Sequence, residues 1–463
     1  MNLKKLFSAA LAVLLLLSLF SGCEVEDPTP RVSDPSVTLP PSESFPPPTD
    51  YIKYSGQWEE TDEPLVVCIP ERMNDIGFCE DVEDLLKYLT GSPVKLEWVI
   101  IPEYADTETE GLLTRLRTEL LSGDGPDVFL YGRRAPIWLP DGAPDNFTVL
   151  FPMPEKLLYN DLFLPLDGLL ENPQYMHPEN FQSTVMAAGR TEQGQLILPT
   201  VYTCAAAFYD KSKLSGPLPE NLKEMADSPD EVIVAGSDLI FAMGPVADCQ
   251  TDSLLFSDDE LQELTAQAFS IKQRSSDAQR NFLDGNSQGW WESMQPTGEL
   301  TLSEMFQGKG AQKDYAVLPQ WDRTGGVTAR IERYAAVNRN TKQANNAMFL
   351  LDVLLSPECL SSSGFEDTNS ATPRLYGRFS SVLNDLSATG LVIDTTVFHG
   401  NLHRKAQDLR AELDSRITGA RFRSDLDDVL YDLNMGLMFA ESELDALQNA
   451  SNAYDRLLMV LAE

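Results

Sequence analysis

Few residue types in this sequence are placed to do chemistry. There are three histidines in the whole chain. His399 and His403 are four apart, a spacing that would put both on one helical face and permit a metal pair. Gly400 and Asn401 stand between them and no Glu follows His399, so no metal site is expected. The chain has no G-x-S-x-G elbow and no G-x-x-x-x-G-K-[ST] phosphate loop. With 71 Asp and Glu residues, carboxylate pairs are too common to single out a glycosidase pair. A Ser-His-Asp triad drawn from distant segments stays open at this level. The expectation is a binding protein with no catalytic residue and no cofactor.

Flat aromatic side chains suit binding better. Sugar rings pack their C–H faces on aromatic surfaces, while their hydroxyls need Asp, Glu, Asn, Gln or Arg. Trp290 and Trp291 sit in the polar stretch 286–292, Trp321 follows Pro319-Gln320, and Trp138 follows the loop after Tyr131. Each could equally be a core or lid-packing residue. Arg133, Arg134, Arg330 and Arg333 stand out because positive charge is scarce. They are candidates for recognising a carboxylate, or for pairing between parts of the protein.

The elements that must position these residues are legible near the front of the body. Leu65 to Ile69 is a continuous apolar run fit for a buried parallel strand. Val82, Leu85, Leu86 and Leu89 have helical spacing, and Gly91-Ser92-Pro93 ends that helix. A strand over 94–101, a helix carrying Leu112, Leu113, Leu116, Leu120 and Leu121, and a strand over 127–131 follow. The order β-α-β-α-β implies a parallel sheet with right-handed crossovers. Ligands bind such sheets beyond the carboxyl ends of the strands. That places Glu71 and Arg72, after the first strand, and Tyr131 and Arg133, after the third, beside a cleft. Near the end of the chain, Ser424-x-x-Asp427 reads as a capping pair, with Leu426, Val429, Leu430 and Leu433 on one face. Leu444, Leu447, Tyr454, Leu457, Leu458 and Leu461 read as a further apolar face.

The first residues read differently. Lys4 and Lys5 precede an apolar run from Leu6 to Phe20, ending in Ser21-Gly22-Cys23. That is a secretory signal of residues 1–22, too short for a membrane span of roughly 20 apolar residues. The Cys after two small residues resembles a lipobox, so Cys23 is expected to be lipidated and to anchor the protein at a membrane, facing outside or into a periplasm. Residues 24–50 hold eight of the 30 prolines, which makes 23–61 an extended spacer.

Composition bounds the partners. A net charge of −36 excludes nucleic acid and direct adhesion to anionic lipid, so the acyl chains must carry attachment. A hydrophobic fraction of 43% supports sizeable cores. Five cysteines remain after Cys23, so they cannot all pair, and no C-x-x-C occurs. Cys68 and Cys79 are close enough to bridge, but buried free thiols are expected.

Four segments carry a family resemblance. Residues 117–129 (Arg-Thr-Glu-Leu-Leu-Ser-Gly-Asp-Gly-Pro-Asp-Val-Phe) form a helix–turn–strand string, in which Gly123 ends the helix and Pro126 prevents its restart. The others are Asn160–Leu170; Gly194–Pro199 with Ala207–Leu214; and Asp314–Pro319 with Arg333–Asn338 and a helix through Ala347 to Leu355. Together these resemble the family 1 extracellular solute-binding proteins, the carbohydrate-type binding lipoproteins of ABC importers. Asp210 stands where that family has Asn, and residues 215–306 have no clear counterpart.

The resemblance implies an α/β, two-lobe, periplasmic-binding-protein-like fold with parallel-type sheets, flanking helices and a hinged cleft. Lobe I would take 62–203 with a return segment 307–356. Lobe II would take 204–306 and the C-terminal helices of 357–463. It implies capture of a small polar solute, a mono- or oligosaccharide, by a monomer that delivers it to an ABC permease and its ATPase. The expected ligand contacts are Glu71, Arg72, Tyr131, Arg133, Tyr202, Trp290, Trp291, Trp321 and Arg330. Binding of a peptide, polyamine or other nutrient, a sensor role, a tethered hydrolase and an adhesive surface protein are the competing readings.

Overall fold

The computed structural model describes residues 51–74, 77–132, 147–204, 206–210, 220–221, 223–224, 242–283, 289–292, 315–319, 321–356, 359, 412 and 414–462. The expected signal, Cys23 and most of the spacer lie outside the described residues, as do Arg133, Arg134, Trp138, His399 and His403. Among the described residues no helix is long and apolar enough to cross a membrane.

The front of the body follows the expected order. β1 (Leu65–Pro70), α1 (Phe78–Thr90), β2 (Leu96–Ile101), α2 (Thr107–Ser122) and β3 (Val128–Gly132) alternate along the chain. β1 pairs in parallel with β2 on one side and β3 on the other. The two helices cover opposite faces. Val82, Leu85 and Leu86 of α1 pack with Val67 and Ile69, whereas Leu113, Leu116 and Leu120 of α2 pack with Cys68 and Phe129. The period-two alternation of β1 explains this division, since neighbouring residues must face opposite layers.

Short elements follow: α3 (Pro154–Leu157), α4 (Asp167–Glu171), α5 (Ser183–Ala187) and the β4–β5 hairpin (Arg190–Thr191, Gly194–Gln195). Two longer strands come next, β6 (Ile197–Thr203) and β7 (Ala206–Asp210). Beyond them lie β8 (Ala247–Asp248), β9 (Ser253–Leu254), α6 (Asp258–Leu283), β10 (Gly289–Glu292) and β11 (Tyr315–Pro319). β7 stands between β10 and β11, antiparallel to both, in a separate three-stranded sheet. The chain then enters β12 (Thr328–Val337), α7 (Ala344–Leu354), β13 (Gly419–Phe422), α8 (Asp425–Phe439) and α9 (Glu443–Ala462).

β12 organises the main sheet. One edge pairs with β6. The other pairs first with β13 in parallel and then with β3 in antiparallel fashion. A bulge between Ile331 and Tyr334 marks the change of neighbour. It also reverses the side-chain parity: Ala329 and Ile331 face the same core as Tyr334 and Ala336. Gly132 makes the close approach possible, because an added Cβ would lie 2.7 Å from the Glu332 carbonyl oxygen.

The segments that carried the family resemblance meet at the amino ends of the parallel strands. Asp127 accepts from the Val66 N–H at 2.8 Å and from the Thr341 hydroxyl at 2.5 Å. Asn338 donates its amide to the carbonyls of Asp124 and Pro126 at 2.8 and 3.2 Å. The Leu164 N–H donates to the Val337 carbonyl, and buried Asp167 accepts from the Gln195 N–H and from Arg190. These motif residues are one another's partners.

Residues 51–61 pack on the body, so the packed chain begins earlier than the boundary at 61 read from proline content. Tyr54 is buried and donates to Asp352 at 2.9 Å, and Asn346 exchanges hydrogen bonds with the backbone of Glu59. Asp352 is itself fully buried and also accepts three backbone N–H groups, from Gln174, Tyr175 and Met176.

A third core joins α6, α8 and α9 with β9. α9 differs from its sequence reading. Its packed face is Ala446, Ala450, Ala453, Leu457 and Leu461, while Leu444 and Leu458 are exposed. The alanines let α9 lie close against α6 and α8, which turns the leucine stripe outward by about a quarter-turn. The α8 capping pair is present, with the Ser424 N–H donating to Asp427 at 2.9 Å. All five cysteines after Cys23 are free thiols, and Cys68 and Cys79 are buried.

Asn338→Ala removes both turn contacts from a buried site and leaves two carbonyls without that donor. It should cost about 2–4 kcal/mol in urea unfolding. Asn345→Ala removes a half-buried side chain whose bonds to Ser55 and Gln57 hold residues 51–61, and should cost about 1 kcal/mol or less.

Candidate functional site

The chain leaves β1 at Pro70 into a single 3-10 turn over Glu71–Met73. It leaves β2 at Ile101 through Pro102 and Glu103 to Tyr104. The Glu71 carboxylate joins these two strand ends by accepting the Glu103 N–H at 3.0 Å. Asp106 then caps α2, accepting from the Thr109 N–H at 2.8 Å and the Thr109 hydroxyl at 2.9 Å. Those two bonds hold its carboxyl below the ordinary range.

These turns enclose a cleft of about 780 Å³ beyond the carboxyl ends of β1 and β2. Glu71, Tyr104, Asp106, Glu108, Leu112 and Arg115 line it, with Pro102, Thr109 and Gly111. Tyr104 is 58% exposed and stands against Phe147, ring centroids 5.4 Å apart. One wall thus offers an uncovered aromatic ring. Three carboxylates and one guanidinium surround it. This arrangement can stack a flat apolar face and accept hydrogen bonds from hydroxyl or ammonium donors. It disfavours an anion.

Among the described residues, Glu71 is the one expected contact that lines this cleft. Tyr104 was not singled out, although the rule that pointed to the ends of β1 and β3 applies equally to the end of β2. Tyr131 is buried: its hydroxyl donates to the Thr148 carbonyl at 3.3 Å and accepts the Leu150 N–H at 2.7 Å. Tyr202 is also buried, donating to Asp414 at 2.5 Å. Trp321 packs against both the sheet core and the helical core, with the Arg416 guanidinium 6.0 Å from its ring centre. Tyr131, Tyr202 and Trp321 are therefore gathered in or against one core and are not among the residues that line this cleft. Trp290 and Trp291 lie in β10, in register with Phe208 and Ala207, and their side chains are outside the described residues. The side chain of Arg72 and the whole of Arg133 are outside them too.

Arg330 belongs to a buried ladder of charge at the β12 bulge. Glu332 bridges Arg330 at 2.6 Å and Arg423 at 3.2 Å. Arg330 continues to Asp427 at 3.8 Å, and Asp427 binds Arg421 at 2.8 Å. Burial pushes both carboxyls up, but the arginines outweigh it. Asp427 falls to about 2 and Glu332 also stays below its ordinary value. Neither is an acid or base for chemistry near neutral pH. Among the described residues no group of three or more His, Cys, Asp or Glu could hold a metal ion.

No protein-family model matches the sequence, and no curated protein matches it. Solved structures are similar to it. One is an extracellular solute-binding protein family 1 from Alicyclobacillus acidocaldarius subsp. acidocaldarius DSM 446, at 12% identity and TM-score 0.47, covering 86% of this chain and 100% of that one. Another is a periplasmic oligogalacturonide binding protein from Yersinia enterocolitica, at 12% identity and TM-score 0.48, covering 86% and 100%. A third is a de novo designed cysteine esterase, ECH19, at 13% identity and TM-score 0.50, covering 87% and 99%. The likeness to the esterase is one of fold alone. The chain has a mixed α/β fold with a mostly parallel central sheet and flanking helices.

Arg330→Met should cost about 3–5 kcal/mol in equilibrium unfolding, because it leaves Glu332 and Asp427 each short of a buried cation. High salt should not reproduce the loss, since buried pairs are poorly screened.

Proposed function

We propose that this protein is a membrane-tethered solute-binding protein that captures a neutral, polyhydroxylated small molecule, a mono- or oligosaccharide. The observation that carries the reading is the open cleft, in which exposed Tyr104 is flanked by Glu71, Asp106 and Glu108. The ring takes the apolar face of a sugar and the carboxylates take its hydroxyls. The cleft occupies the place where open α/β sheets bind ligands. The four family-like segments support the same reading from sequence.

In this proposal Cys23 carries the lipid, and the protein works as a monomer outside the cell membrane or in the periplasm. It delivers its solute to an ABC permease and ATPase and performs no chemistry. The second wall of the site comes from the β7, β10 and β11 sheet, closing on the main sheet about a hinge; β11 thus moves with 204–306 although it lies in 307–356, and β13 stays with the main sheet although it lies in 357–463. Trp290 and Trp291 of β10, and Arg133 beyond β3, are the expected contacts that closure would bring in. The acidic rim favours one alternative, a cationic solute such as a polyamine.

Thermal unfolding against neutral sugars, uronic acids and polyamines separates these readings. A neutral sugar at a hundredfold excess over its Kd should add about 2.7 kcal/mol of stability. Uronic acids should add less, and stabilisation by polyamines alone would replace the sugar with a cation. Tyr104→Ala should weaken sugar binding roughly tenfold or more. It should leave unliganded stability within about 0.5 kcal/mol.

A further inference from the structure

The sheet core and the C-terminal helical core are joined along a seam that includes α3. Leu150, Phe151 and Leu158 are buried in the sheet core, whereas Met153 between them is buried in the helical core. The opposite bank is the passage from β13 to α8. Phe422 lies in the sheet core and Leu426 in the helical core. Two hydrogen bonds close the gap between these banks. The Asp425 N–H donates to the Pro152 carbonyl at 2.9 Å, and the Phe422 N–H donates to Glu155 Oε1 at 2.6 Å. The second oxygen, Glu155 Oε2, is buried without a hydrogen-bond partner.

A carboxylate there buries a charge without a direct cation, which costs more than the unpartnered O–H of a neutral carboxyl. The charged groups around it are already engaged. Lys156 turns away to the Leu461 carbonyl at 2.6 Å and to Asp252 at 3.0 Å. Arg421, from β13, is held by Asp427 of α8. The β8–β9 side supplies Cys249 and Asp248, and Tyr159 lies on the following turn. We propose that Glu155 is a proton-operated latch between the two cores: its neutral carboxyl keeps the seam closed, and its carboxylate loosens it. This holds whichever solute the cleft takes.

The acid–base chemistry agrees with the geometry. Burial lifts the Glu155 carboxyl to about 7, while its own backbone N–H, the Phe422 N–H and Arg421 pull the other way and Asp427 adds slightly to the rise. Asp427 stays ionised, held at about 2, and burial keeps the Cys249 thiol neutral at about 12. A carboxyl raised above its unfolded value of 4.5 costs nothing below that value. Stability falls as pH rises from there to about 7, and is level above it.

Amide hydrogen exchange on the full-length protein, followed between about pH 5 and pH 8.5, tests the latch. The readout is protection after correction for intrinsic exchange, with the Val66 amide, bonded to Asp127 at the far end of the sheet, as internal reference. Protection of the Phe422 and Asp425 amides should drop about tenfold or more relative to Val66 as pH rises. Glu155→Gln, which keeps the acceptor and cannot ionise, should hold that ratio constant. The latch is overturned if the Phe422 and Asp425 amides track Val66 in the unaltered protein, a result that needs no variant to fold. It is equally overturned if Glu155→Gln retains the same pH dependence.

Discussion

β12 must satisfy two different neighbours along a single edge, and the rest of the body is arranged around that constraint. β3 approaches from one end and β13 from the other, so their carboxyl ends converge on the bulge at Glu332. A strand that changes partners mid-length leaves backbone and side-chain groups facing a gap, not a ladder. The arginine–carboxylate ladder fills that gap with charge. Both ends of β12 are pinned by polar side chains whose bonding is used locally. Asn338 ties the far end to the turn before β3. Buried Asp322 ties the near end, accepting the Thr328 hydroxyl at 2.7 Å together with the Gly326 N–H and the Thr324 N–H and hydroxyl.

The ladder also explains why a chain of such negative charge keeps three arginines inside. Replacing a buried ion network with apolar residues often preserves stability, so its presence is weak evidence for a stabilising purpose. Its location is more informative. Arg330 and Glu332 belong to the sheet, Arg421 and Arg423 flank the exit from β13, and Asp427 opens α8. The network therefore fixes the register of one layer against another, as directional bonds can and apolar contacts cannot. An aromatic series runs beside it in edge-to-face contact, through Phe129, Phe151, Tyr131, Tyr334 and Phe422. This packing is why Tyr131, read as a cleft residue from its position at a strand end, is buried with its hydroxyl engaged.

Periodicity and turn chemistry made β1 through β3 legible, because α1 and α2 bury stripes of regular spacing and end at Gly91 and Gly123 in left-handed geometry. The family-like segments meet in the fold, Asn338 bonding to the Asp124 and Pro126 carbonyls and Asp167 to the Gln195 N–H. What failed was local inference about longer-range packing. In α9 the leucines formed a plausible stripe, yet alanines govern how closely two helices approach, and that depends on the partner surface. In β12 the alternation of residues 328–337 gives no hint of a bulge, since the parity change is visible only once β3 and β13 are both in place.

The same geometry accounts for the difficulty of reading a ligand from this chain. The bonds that define the fold lie at the amino ends of the parallel strands, around Asp127 and Asn338. The cleft lies at the opposite ends, on Glu71, Tyr104 and Asp106, where side chains are exposed and make few contacts that folding requires. Residues at the amino end can change only together, whereas Tyr104 or Glu108 can change alone at small cost to stability. The Glu71 bond to the Glu103 N–H is the exception: it links the ends of β1 and β2 at the lining of the cleft, so a substitution there would alter the spacing of the strand ends.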